Sequence, residues 1–239
     1  MKNKKIISMA TLLIASIGVA QSQIIISEVD PAGSATTGGA NGNGSGYAAD
    51  WFELKNTGAS AVDITGWKMD DSSDAFATAV AITGVTSIAA GQAVVFVENS
   101  SGSSTLSPTA TATLNANFET AWFGANVPAG FTIGNYGGSG VGLSQTSDGV
   151  NIFDSAGDAI TGVSFGVTTL GHTLDNAAGS SGLISQASQA GVNGAFLSAN
   201  GVEVGSPGDV APVPEPSTIA LTGGGLAALL AFQRRNRKS

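Results

Sequence analysis

Cysteine is absent from all 239 residues, which rules out disulfides, thiolate chemistry and Cys-type zinc sites. Cations are nearly as scarce. Of nine Lys and Arg, Lys2, Lys4 and Lys5 open the chain, and Arg234, Arg235, Arg237 and Lys238 close it. Between those ends only Lys55 and Lys68 face all seventeen Asp and Glu. So acidic a body repels phosphates and has almost nothing to neutralise them with, so nucleic acid is not an expected partner. Charged residues make up only 11% of the chain, so helical bundles and coiled coils, rich in Glu, Lys and Arg, are poor candidates. What is present is 34 glycines with much Ser, Thr, Val and Asn, a mixture suited to short strands joined by many turns. The expected class is all-β.

Both termini carry signals. Residues 1–22 combine a basic start, an apolar run from Ile6 to Val19 and small residues, the pattern of a signal peptide cleaved after Ala20 or Ser22. At the other end Ser217 to Phe232 is uncharged and apolar, and as a helix would span about 24 Å, close to a bilayer core. Arg234, Arg235, Arg237 and Lys238 would then stay on the cytoplasmic side. Residues 209–213 read as a linker before this tail.

Pro214-Glu215-Pro216, followed by the apolar run and the basic cluster, resembles the PEP-CTERM protein-sorting signal of Gram-negative bacteria. The resemblance implies a tag over 214–239 that an exosortase-type membrane protease recognises at Pro214, Glu215 and Pro216 and removes. It further implies passage through the export translocon, a transient stay in the inner membrane, and release to the cell surface or extracellular matrix.

The body, residues 23–208, reads as strands and punctuation. The β-branched run Ile24 to Val29 stops at Asp30-Pro31, because proline cannot continue a ladder. Residues 33–46 are a glycine-rich loop. Trp51 to Leu54 is a strand with Phe52 and Leu54 on one face and Trp51 and Glu53 on the other. Gly149 to Phe153 and Ala159 to Phe165 predict a hairpin, with Gly157 free to take a positive φ in the connection. The spacing gives no helix signal, and the Thr/Ala-rich stretch Leu106 to Asn117 is expected to be a loop.

IIISEVDP (24–31), DWFELKNTGASAVDITGWKMDD (50–71), SIAAGQAVVFVEN (87–99), LNANFE (114–119), GLSQTSDGVNIFDSAGDAITGVSFG (142–166) and a closing EVGSPG (203–208) together resemble the lamin-tail domain over nearly all of residues 23–208. That likeness implies an immunoglobulin-like β-sandwich with long glycine-rich loops and brings no catalytic residues. Residues 100–113 and 120–141 then stand out as insertions.

Chemistry-bearing motifs are thin. His172, the single histidine, lies in Leu-Gly-His-Thr with no nucleophile motif nearby and is expected in a turn. Two carboxylates for glycoside hydrolysis are available by count, but no spacing singles out a pair. Asp70, Asp71 and Asp74 form an acidic turn that could hold Ca²⁺, though it lacks the glycine and distal Glu of an EF-hand loop. Trp67, after a strand and a glycine, is expected in the core, while Trp51 on the outer face and Trp122 in an insertion are the candidate sugar-stacking aromatics. The expectation is an exported, non-enzymatic surface or matrix protein without a cofactor, acting as a structural or binding module of an exopolysaccharide layer. The alternatives are a secreted hydrolase using paired carboxylates and a calcium-dependent adhesin.

Overall fold

The computed structural model describes residues 23–35, 39, 42–101 and 104–208. Strands appear where β-branched and aromatic runs alternate with turn residues: β1 (Ile24–Asp30), β2 (Trp51–Asn56), β3 (Val62–Asp63), β4 (Lys68–Asp70), β5 (Val80–Thr83), β6 (Ser87–Ile88), β7 (Ala93–Glu98), β8 (Ser100–Ser101) and β9 (Ser104–Thr105). The helix α1 (Pro108–Phe123) follows. The chain continues with β10 (Ile133–Tyr136), β11 (Asp148–Phe153), β12 (Ala159–Phe165), β13 (Leu174–Asp175), β14 (Gly182–Ile184), β15 (Phe196–Leu197) and β16 (Val204–Gly205). Ten strands form one ladder in the order β13-β1-β2-β7-β10-β5-β4-β11-β12-β14. All its pairings are antiparallel except β7 with β10 and β12 with β14.

The ladder folds over so that its halves face each other. Ile24, Ile26, Val29, Phe52, Leu54, Phe96 and Tyr136 from one half meet Met69, Ile82, Val150, Ile152, Val163 and Phe165 from the other in a single core. This is the immunoglobulin-like sandwich, with inward residues alternating along each strand. Trp67 enters the same core, as its Gly-Trp step implies. In the β11–β12 hairpin Gly157 adopts φ 94°, while Asp154 accepts from the amides of Ala156 and Asp158 to close the turn.

A third layer departs from the expected all-strand body. Residues 108–123 are helical, not looped: Ser107 caps the first turn by accepting from the Ala110 amide at 3.3 Å, and Pro108 occupies the first helical position. Leu114, Phe118, Ala121 and Trp122 fall on one face and cover the outer side of β2 and β7, where Trp51, Val95 and Val97 project. Burial of that face, about 1.5–3 kcal/mol per large side chain, stabilises a helix of 16 residues whose four Ala are offset by four β-branched Thr and two Asn, and which would be marginal alone. No helix among the described residues is long and apolar enough to cross a membrane, and the predicted segment 217–232 lies outside them.

Candidate functional site

A bulge in β1 builds the most unusual part of the molecule. The pairing slips by one residue between Ile26↔Leu54 and Glu28↔Glu53, so Ser27 is the extra residue. The slip lets Ile24, Ile26 and Val29 all reach the core and turns Glu28 and Asp30 to the outer face beside Glu53 and Trp51. On an ordinary sandwich that face would meet water. Here residues 171–188, the C-terminal stretch 203–208 and α1 cover it, and Glu28, Asp30, Asp50, Glu53 and Glu203 are between 0% and 4% exposed.

Each buried acid is held by donors. Glu28 accepts from the Thr173 hydroxyl, from the Ser206 amide at 2.8 Å and from the Ser206 hydroxyl at 3.2 Å. Glu53 accepts from Ser27 Oγ at 2.7 Å and from the Gly208 amide. Asp30 accepts from the Ala32 amide at 3.0 Å, and Asp50 from the Ser34 amide at 2.7 Å. The Tyr47 hydroxyl is a hub: it accepts from Trp51 Nε1 at 3.0 Å and Trp122 Nε1 at 3.4 Å, and donates to Glu203 at 2.9 Å. The same hydroxyl lies 3.4 Å from Asp30 Oδ2, so Asp30 and Glu203 converge on one buried group.

Burial dominates the electrostatics. It pushes Glu28 up to about 8, with the charge of Glu53 adding to the effect and the Thr173 and Ser206 donors opposing it. Glu203 rises to about 10 through burial and then the neighbouring Asp30. Asp30 is likewise raised by burial, opposed by its neighbour Glu203, so the pair keeps a proton in common. Burial lifts Asp50 to about 7 against the pull of the Ser34 amide.

Asp30 and Glu203 are enclosed around the Tyr47 hydroxyl, whereas glycoside hydrolysis needs two carboxyls that flank a bound sugar about 5–9.5 Å apart. The cavity beside Glu203, under Ala32 and Val202, measures about 10 Å³, room for a water molecule and no more.

The two candidate sugar-stacking tryptophans are corrected. Trp51 is 0% exposed and Trp122 1%, and they pack edge to face with ring centres 5.8 Å apart. Trp51 does face away from Phe52 and Leu54, but α1 covers that face, and Trp122 belongs to the covering helix. Asp70 is buried and spent on its own turn, accepting from Ser73 Oγ, the Ala75 amide and Thr78 Oγ1 at 2.5, 2.7 and 3.1 Å. Asp71 accepts from the Ser73 amide, and Asp74 is exposed with φ 50°. Among the described residues no group of three or more His, Asp or Glu side chains could hold a metal ion. His172 closes the turn that starts at Thr169 and bridges to Val204; it is half-buried, with Nδ1 2.8 Å from the Ser188 carbonyl.

One groove of about 260 Å³ is open to solvent at the β13 end of the ladder. Asp175, Ser180, Ser185, Gln186 and Asn193 line it with hydroxyl, amide and carboxylate groups, and Leu183, 74% exposed, forms an apolar rim. Nothing in the sequence pattern pointed to it, because the loops 176–181 and 185–195 bring these residues together only in the fold.

Pro214, Glu215, Pro216, Ala20, Ser22 and the basic tail lie outside the described residues. A search of curated proteins finds no match. Family models do match. Residues 212–236 match the PEP-CTERM protein-sorting motif, which marks an exported protein sorted towards the cell surface and processed by an exosortase. Residues 19–166, covering β1 through the β11–β12 hairpin, match the Lamin Tail Domain model, and the chain belongs to that family.

Proposed function

We propose that this protein is a non-enzymatic component of an exopolysaccharide-containing surface layer, delivered through the translocon and a transient inner-membrane stage. The sorting motif starting within a few residues of the sandwich is the observation that carries this reading. The body's chemistry is compatible with it. Its clustered carboxyls are enclosed and hydrogen-bonded, which suits stability more than turnover. The groove at Asp175, Gln186 and Asn193 presents neutral amides and hydroxyls with one carboxylate and no cation. Such a surface matches a neutral polyhydroxylated chain and disfavours an anionic one. The groove is smaller than the roughly 300–1,000 Å³ that encloses a drug-sized ligand, so it suits a short segment of a longer polymer.

The test is co-sedimentation of the processed protein with exopolysaccharide isolated from the producing cells. Wild type is expected in the pellet, and Leu183→Glu with Asn193→Ala is expected to stay largely in solution. Wild type remaining in the supernatant would remove the polysaccharide role.

A further inference from the structure

Residues 203–208 run across the outer face of β1 and β2 immediately before the sorting motif. Their backbone is tied down by the Val204 amide donating to the Gly171 carbonyl and the Thr173 amide donating to Val204, at 2.9 and 3.1 Å. Gly205 lies so close beneath that a Cβ there would come within 2.7–2.9 Å of Glu28 Oε1, Thr173 Cγ2 and Trp122 Cη2. The remaining anchors are carboxyl groups: Ser206 to Glu28, Gly208 to Glu53, and Glu203 beside Asp30 at the Tyr47 hydroxyl. The last pair is special: both carboxyls are buried against the one Tyr47 hydroxyl, at 2.9 Å from Glu203 and 3.4 Å from Asp30, and its single proton can serve only one of them, so the pair sits together only while one carboxyl keeps a proton of its own.

We propose that residues 203–208 are a proton-held strap: loss of the proton shared by Asp30 and Glu203 sets two buried anions against each other and frees the segment from β1 and β2. Other charged and titratable groups surround the pair. Tyr47 and Asp50 come from the coil before β2, Glu28 from β1, Glu53 from β2 and His172 from the segment pairing with Val204; Glu98 of β7 faces Asp50, and the cation Lys55 lies four residues along β2 from Trp51, opposite Ile25. Helix α1 carries Glu119 and presents the Trp122 N–H to Tyr47. The preponderance of acids among these neighbours makes a second anion costly.

The consequence bears on processing and rests on the sorting-motif match, not on the polysaccharide reading. Release frees six residues, which at about 3.3–3.6 Å each add roughly 20 Å of reach between the sandwich and Pro214. With Glu203 raised to about 10, the strap stays docked at neutral pH and lets go in alkali.

Hydrogen exchange of the full exported chain, read by mass spectrometry from pH 6 to 10.5 and corrected for intrinsic rates, tests this. In wild type the protection of peptides covering 203–208 is expected to fall at least tenfold between pH 7 and 10.5, while those covering 148–165 stay protected. Glu203→Gln keeps an N–H donor towards Asp30 without needing a proton, so its strap should stay protected to the highest pH. If Glu203→Gln lacks the wild-type circular dichroism at pH 6, Asp30→Asn takes its place with the same expectation. Flat wild-type protection would overturn the proposal. So would loss at the same pH in wild type and variant, or simultaneous loss in 148–165.

Discussion

The buried acids predict that the protein becomes less stable as pH rises from mildly acidic to neutral. Glu28 titrates near 4.5 in the unfolded chain and about 8 in the fold, so the folded state binds its proton more tightly across that window. Unfolding there releases a proton, and the stability contributed is full below about pH 4.5 and gone above about pH 8. The slope for one such group is about 1.4 kcal/mol per pH unit, or about 3 kcal/mol between pH 5 and 7. The Asp30–Glu203 pair acts in the same direction and extends the decline towards pH 10. For a body of this size 1 kcal/mol moves Tm by about 2–4 °C, so Glu28 alone lowers Tm by roughly 10 °C from pH 5 to 7. The assay is a series of thermal melts of the exported protein at constant ionic strength, with Glu28→Gln as the control. The substitution removes the titrating proton but keeps the shape, and it should flatten the slope over that range by roughly a third, since Asp50 and the Asp30–Glu203 pair contribute slopes of similar size. A Tm that is constant or rises from pH 5 to 7 would refute the reasoning, because it would mean these carboxyls are ionised in the fold at little cost.

Further outcomes follow from the packing. Trp122→Ala should cost about 3–5 kcal/mol in a denaturant titration, because the ring is buried against Trp51 and Phe118; a cost under 1 kcal/mol would contradict its place in the core. Ser107→Ala should cost about 1 kcal/mol through loss of the α1 cap, visible in the same titration. Gly205→Ala should cost about 1–3 kcal/mol by overpacking the strap against Glu28 and Trp122, and wild-type stability would show that the strap shifts freely. Millimolar calcium should leave Tm unchanged, since Asp70 already accepts three protein donors; a rise of several degrees would make the Asp70–Asp74 turn a cation site.

The sandwich itself was legible because its signals are local. The run Ile24 to Val29 ends at proline, Phe52 and Leu54 alternate with Trp51 and Glu53, and Gly157 sits where the β11–β12 turn needs positive φ. The outer layer was not legible, for two physical reasons. Helix α1 has weak intrinsic propensity and exists through contacts with β2 and β7, so composition alone favoured a loop. Its signals were small: Ser107-Pro108 as cap and first residue, and the spacing of Leu114, Phe118, Ala121 and Trp122. Without that helix the outer face of β2 reads as solvated, which puts Trp51 and Trp122 at the surface. The buried acids were hidden for a related reason. An alternating Glu or Asp normally marks a solvent face, and only the β1 bulge together with the strap 203–208, far away in sequence, encloses these.

The central claim is that this lamin-tail sandwich is delivered outside the cell and separated from its C-terminal tag. Intact mass spectrometry of the protein from the medium, surface and membrane fractions of the producing cells tests it most directly. The account predicts a species in the medium and surface fractions that begins after Ala20 or Ser22 and ends within about Pro214 to Pro216. A chain that keeps Ser217 to Ser239 and stays with the membrane would contradict it and make the protein a permanently anchored ectodomain.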